Sequence, residues 1–254
     1  MKAVSYYRPY GWKAKIGLIV PSTNTVMEPE FWKLAPPGVA VFTARATLLG
    51  AATTESYFRM AESVNDAAQQ LATAEVDTVI YGCTSGSFVC PLPELLDNMR
   101  QRAGVPALAS AGAVIAALRA LQVDKVSLVT PYLDFVNERE IAFLKEHGVQ
   151  TLRLKSFSMG ETQEERRAIG KVPPQAIYRL AREADHPDAQ AIFISCTNLP
   201  SLDVVDLLEK ELGKPVITSN QASLWACLRR LGLRDAIPDH GRLLSDCLDP
   251  VGDI

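Results

Sequence analysis

Long hydrophobic runs are missing from this chain. Its apolar stretches, such as KIGLIVP at 15–21 and AIFIS at 191–195, last a handful of residues. That is far short of the roughly 20 needed to cross a bilayer, so no membrane association is expected. The opening stretch, MKAVSYYRPYGWKAKIG, lacks the apolar core of a secretory signal, which points to the cytoplasm. Histidine is scarce: His147, His186 and His240 are scattered in polar surroundings with no ligand spacing, so they are read as exposed and no metal is expected. Cysteine numbers only five, an odd count without a Cys-x-x-C pair, which disfavours a disulfide framework and leaves reduced thiols. Charge of one sign is also lacking, with 26 Lys and Arg against 29 Asp and Glu and no basic run beyond pairs such as Arg229-Arg230. A nucleic-acid surface is therefore disfavoured. Neither a G-x-G-x-x-G fingerprint nor a Walker loop is present, so nucleotide binding lacks support.

What is present is an alternation. In a chain of 254 residues, long enough to bury a sizeable core, short β-rich runs alternate with longer stretches of helical period. This is the pattern of an α/β protein whose parallel strands are joined by right-handed helical crossovers. Strands are expected at 15–20, 39–44, 76–81, 107–109, 125–129, 151–154, 191–194 and 216–218. Phe58, Ala61, Val64, Ala68 and Leu71 recur at three and four, one stripe of an amphipathic helix. Ser201 is placed to cap a helix over LDVVDLLEKEL, with Gly213 as its C-terminal stop. Asp203, Asp206, Glu209 and Glu211 read as the solvated face of that helix.

The chain also repeats itself. KIGLIVPSTN is echoed by KVSLVTPYLD, VDTVIYGCTSG by AQAIFISCTNL, and VPALASAGAVIAALRALQV by KPVITSNQASLWACLRRLGL, each at an offset of about 110 residues and in the same order. Two similar α/β halves related by a pseudo-two-fold axis are expected. Residues 1–120 with 219–254 would form the first, and 121–218 the second. Ligands of open parallel sheets sit outside the carboxyl ends of the strands. Positions 21–24, 83–87, 131–134 and 196–198 all fall at such ends, so the two Cys-Thr turns should meet around one cleft.

A lone cysteine is usually a small buried hydrophobe, and that reading suits Cys90, Cys227 and Cys247. Cys83 and Cys196 differ, because Thr, Ser, Gly and Asn follow them where the chain leaves a strand and enters a helix. The helix dipole there is expected to draw each thiol pKa down toward neutrality. Two thiols on opposite faces of a small substrate can move protons or add to an activated double bond, giving racemisation or isomerisation without a cofactor. Ser22, Thr23, Asn24, Thr84, Ser85, Tyr132, Thr197 and Asn198 surround them as a cradle for a carboxylate and for the enediolate formed from it. Capping and turn formation are the ordinary alternative for any of the Ser, Thr and Asn residues. Tyr132, after a proline, has the weakest reason to be only a cap.

GLIVPSTNTVMEPEF, YGCTSGSF, TPYLDFVNERE, SCTNLPSLD and PVITSNQASLWACLRRLG resemble the Asp/Glu racemase superfamily over nearly the whole chain. The resemblance is to its branch of maleate cis-trans isomerases and arylmalonate decarboxylases, including relatives among ectoine-breakdown proteins. It implies two Rossmann-like domains with the active site between them and no cofactor. It further implies Thr84, Ser85 and Tyr132 in a carboxylate pocket, Cys83 as a nucleophile that adds to the double bond, and Cys196 as the acid/base. Asn24 and Tyr132 would be carboxylate ligands. The decarboxylases carry a glycine at the first cysteine, so Cys83 disfavours plain decarboxylation.

The expected function is a cofactor-independent, two-cysteine isomerase of a small carboxylate, with maleate to fumarate as the leading reaction. A two-cysteine racemase of an amino acid or arylaliphatic acid, or a decarboxylase-like enzyme, is the alternative. A dicarboxylate-binding module is the non-enzyme reading. The expected partner is a small carboxylate or dicarboxylate, and a symmetric homo-oligomer is a general prior.

Overall fold

The computed structural model describes residues 8–252; residues 1–7, which open the stretch read above for a signal, lie outside the described residues. The first half runs β1 (Ala14–Pro21), α1 (Met27–Leu34), β2 (Val39–Ala46), α2 (Thr54–Ala72), β3 (Thr78–Tyr81), α3 (Thr84–Val89), α4 (Leu92–Ala103), β4 (Ala107–Ala109) and α5 (Ser110–Ala120). The second runs β5 (Lys125–Thr130), α6 (Asp134–Glu146), β6 (Gln150–Ser156), α7 (Gln163–Ala168), α8 (Pro174–Ala184), β7 (Ala191–Ile194), α9 (Val205–Leu212) and β8 (Val216–Thr218). Helices α10 (Ser219–Arg230) and α11 (Arg242–Asp246) follow.

The eight strands form two four-stranded parallel sheets, ordered β2-β1-β3-β4 and β6-β5-β7-β8. Each order repeats the other with every strand moved four places along, so the repeat in sequence is a repeat in topology. Strands β3 and β7 are buried at every position, as strands covered by helices on both faces must be. Edge strand β6 has no fully buried residue. The core runs through both halves: Ile16, Leu18 and Ile80 of the first sheet and Leu128, Phe193 and Ile217 of the second share one cluster with Leu118 of α5 and Trp225 of α10. Cys227 sits in that cluster, fully buried, where the sequence puts it.

Helix α2 begins with a capping box between Thr53 and Ser56. Its buried stripe is Tyr57, Met60, Val64, Ala67, Ala68 and Leu71, and Phe58 is 46% exposed. The expected stripe is therefore turned by one residue at its start. Tyr57 takes the buried place there, packed in the apolar cluster with its ring 5.0 Å from the Arg166 guanidinium. Ser201 makes no side-chain cap, because a 3-10 turn over Leu202–Val204 stands between it and α9. Gly213 ends α9 at φ 68, in the left-handed region glycine tolerates. Glu209 is not part of a solvated face. Its buried carboxylate accepts the N–H groups of Val216 (2.8 Å) and Arg242 (3.0 Å), which ties α9 to β8 and α11. Among the described residues no helix is long and apolar enough to cross a membrane.

Candidate active site

The carboxyl ends of β1, β3, β5 and β7 converge on one cleft between the sheets. Its walls include Thr23, Asn24, Cys83, Thr84, Ser85, Tyr132, Cys196, Thr197 and Asn198, and the space between them, open solvent at the mouth included, is about 540 Å³. Both thiols therefore face a common space. Ser22 does not line it: its exposed hydroxyl accepts the Leu48 N–H at 2.9 Å and so pins the end of β1 to the loop after β2.

Each thiol is held by the backbone geometry of its turn. Cys83 is the N-cap of α3, and its sulfur accepts the Gly86 N–H at 3.3 Å and meets the Ser85 hydroxyl at 3.7 Å. Gly86 is required there, because a Cβ would stand 2.1 Å from the Tyr81 hydroxyl and 3.1 Å from the Cys83 sulfur. Cys196 lies at φ 95, a left-handed conformation rare for a residue with a side chain. The Cys196 N–H donates to Ser219 Oγ at 3.1 Å, and the Thr84 hydroxyl donates to the same atom at 2.9 Å. One hydroxyl at the start of α10 thus connects the two thiol turns.

The other polar residues of the cradle divide into those engaged within the protein and those left for a ligand. Asn24 caps α1 through its Oδ1, which accepts from Val26 and Met27, and its Nδ2 donates to Thr197 Oγ1 at 3.0 Å. Thr197 in turn donates to the Gly82 carbonyl at 2.9 Å, and Asn198 Oδ1 accepts the Thr25 N–H at 3.0 Å. For these three, capping and bridging between the halves is the role the contacts display. The Tyr132 hydroxyl is buried beside the Cys196 thiol and Ser195 but makes no hydrogen bond of good geometry. A buried hydroxyl in that state favours a ligand that supplies the missing bond.

Sequence reading missed four residues here. Tyr57 and Arg166 line the cleft, Ser219 joins the thiol turns, and Glu140 is 1% exposed with its Oε1 accepting the Ser195 hydroxyl at 2.6 Å, one residue before Cys196. Only Ser219 carried a signal, as the repeat equivalent of Ser110 at the start of α5.

Burial dominates the electrostatics. It pushes the Cys83 thiol up, with the Gly86 N–H and the Ser85 hydroxyl opposing it in part. It pushes Cys196 up to about 12, against the Asn198 N–H and the Tyr132 hydroxyl. The thiol pKa values are thus raised, not drawn toward neutrality. A helix of six residues, as α3 is, supplies too small a dipole to offset the loss of water around sulfur. Burial likewise raises the Glu140 carboxyl to about 8, against the Ser195 hydroxyl bond.

Residues 16–244 match the family described as Arylmalonate decarboxylase. The chain is 34% identical to the arylmalonate decarboxylase of Bordetella bronchiseptica over 237 residues, covering 91% of this chain and 96% of that one. It is 31% identical to the maleate isomerase of Nocardia farcinica over 243 residues, covering 91% and 95%. Among solved structures, a cysteine-to-serine mutant of Nocardia farcinica maleate cis-trans isomerase with a covalently bound succinylcysteine intermediate aligns at TM-score 0.85 and 26% identity, covering 91% of this chain and 98% of that one.

Proposed function

The chain belongs to the arylmalonate decarboxylase family, and from that premise we propose that it is a cofactor-independent isomerase of a small carboxylate that converts maleate to fumarate with two cysteines. The observation that carries this reading is the pair of thiols, Cys83 and Cys196, on the walls of one cleft. In the proposed reaction the Cys83 thiolate bonds to one alkene carbon, and the π pair moves toward the carboxylate on the other. Cys196 gives that second carbon its proton. The former double bond is now single and rotates. Cys196 then takes the proton back, the C–S bond breaks toward sulfur, and fumarate leaves with both thiols as they began.

Raised thiol pKa values suit the acid more than the nucleophile. Cys196, held up to about 12, keeps its proton until a carbanion-like centre forms beside it. Cys83 has more help toward ionisation, from the Gly86 N–H, the Ser85 hydroxyl and the nearby Arg166 charge. The Tyr132 hydroxyl and the Thr84-Ser85 turn are assigned to the substrate carboxylate, where donors stabilise the aci-carboxylate as charge moves onto it.

A second reading, a two-cysteine racemase of an arylaliphatic acid or a decarboxylase-like enzyme, is favoured by the apolar wall of Leu48, Leu133, Val136, Met159 and Ile169. Proton NMR of maleate in deuterated water separates the two. Isomerisation gives fumarate, and Cys83→Ser and Cys196→Ser should each reduce kcat/KM by roughly 10²–10⁴-fold. Undiminished turnover in both variants would sink the two-thiol mechanism. Deuterium exchange at the α-carbon of arylaliphatic acids, with maleate inert, would establish the second reading in its place.

A further inference from the structure

Two arginines are buried among the described residues, and they are satisfied very differently. Arg229 donates from its guanidinium to the carbonyls of Cys247 (2.8 Å), Leu233 (2.6 Å) and Asp235 (3.1 Å), a complete structural role. Arg166, on α7, is 6% exposed and lines the cleft with Cys83, Thr84 and Tyr57. Its Nη1 makes one long bond to the Gly50 carbonyl at 3.3 Å, and its Nη2 is buried with no partner. The preceding carboxylate, Glu165, turns away to accept the N–H groups of Gly160 (3.0 Å) and Glu161 (2.8 Å). No carboxylate of the described residues pairs with Arg166. A guanidinium taken out of water needs an anion and hydrogen-bond acceptors. Tyr57 holds the planar fork in place with its ring, 5.0 Å from the central carbon, and offers its hydroxyl as a neutral acceptor, but it supplies no negative charge.

We infer that Arg166 is a specificity-determining anchor for a second anionic group on the substrate, so that the cleft selects dicarboxylates over monocarboxylates of the same shape. The inference rests on the reading that a small carboxylate occupies this cleft. One carboxylate would take the Thr84-Ser85 turn and the Tyr132 hydroxyl, and the other the free edge of the guanidinium, whose geometry matches a carboxylate in two parallel bonds.

The test uses inert ligands, so that binding is read apart from turnover. Calorimetry on the full chain compares succinate with succinamate, which keeps the shape and replaces one carboxylate by an amide. Wild type is expected to bind succinate about 10- to 100-fold more tightly, the usual worth of a charge-assisted bond. Arg166→Gln should erase that preference while leaving succinamate affinity within about threefold, and Arg166→Lys should retain part of it. Equal affinity for the two ligands in wild type, no binding of either at millimolar concentration, or a preference that survives in folded Arg166→Gln overturns the inference. The wild-type comparison decides even if Arg166→Gln fails to fold. Maleate turnover is then measured separately. Inert maleate with an Arg166-dependent succinate preference overturns the isomerase and leaves the anchor; maleate and maleamate turned over equally well overturn the anchor and leave the isomerase.

Discussion

Cys196 occupies a backbone conformation that its residue type resists. A left-handed φ of 95 on a residue with a Cβ costs on the order of 1–3 kcal/mol. The surroundings sustain it through the Cys196 N–H bond to Ser219 and the Leu199 N–H bond back to the Cys196 carbonyl. The strain aims the sulfur into the cleft. Cys196→Gly should therefore be more stable than Cys196→Ala by about 1 kcal/mol in urea denaturation, the reverse of the usual order. Equal stabilities would show that the turn is not strained. The two thiols were legible in the sequence because each lies in a short Cys-Thr motif ending an apolar run. Arg166 was not, since EERRA reads like any charged helix surface. Only the packing of α7 over Tyr57 takes that guanidinium out of water.

Helix α6 carries the clearest case of a side chain whose meaning comes from its neighbours. Glu140 is one of three glutamates in DFVNEREIAFLKE, all alike in sequence. Only Glu140 turns inward, against Ser195 at the end of β7, with its Oε2 buried and unpartnered. Its carboxyl therefore keeps a proton up to about 8, against 4.5 in the unfolded chain. Below 4.5 both states hold the proton, and between these values only the folded state does. Stability from this group therefore falls as pH rises through the window, by up to about 1.4 kcal/mol per pH unit. Glu30, buried between Asn220 and Leu202 and raised to about 7, acts in the same direction. Glu140→Gln should flatten the decline of the urea midpoint between pH 5 and 8 and exceed wild type at pH 8. An unchanged slope would show that Glu140 is ionised in the folded protein. At this scale the strands were readable because burial on both faces demands unbroken apolar runs. The start of α2 and the cap at Ser201 were not, because single contacts in three dimensions decide them.

At the scale of the molecule, a duplicated sheet order brings two equivalent strand ends face to face, and the cleft exists because the halves are held together across it. Besides the apolar core the halves share, the fastening at the cleft is polar. Asn24 bonds Thr197, Thr197 bonds the Gly82 carbonyl, and Asn198 takes the Thr25 N–H. The repeat told us that the halves would meet, but it was silent on these bonds. Each joins residues far apart in sequence, and none of the side chains differs in type from an ordinary cap. Ser219 is the most telling of them, because its single oxygen serves Thr84 beside one thiol and the Cys196 N–H at the other. If the two turns act as one unit, Thr84→Val and Ser219→Ala should not add. Each should destabilise by about 1–3 kcal/mol as a buried partner is left unpaired, and the double variant should fall short of the sum by about 0.5–3 kcal/mol. Urea denaturation of the four proteins in the cycle measures that difference. Strict additivity would mean that the turns are fixed independently, each by its own half. The spacing between the sulfurs would then be a consequence of the sheets alone, and the hydroxyl at the head of α10 would be a helix-end residue like its repeat partner Ser110.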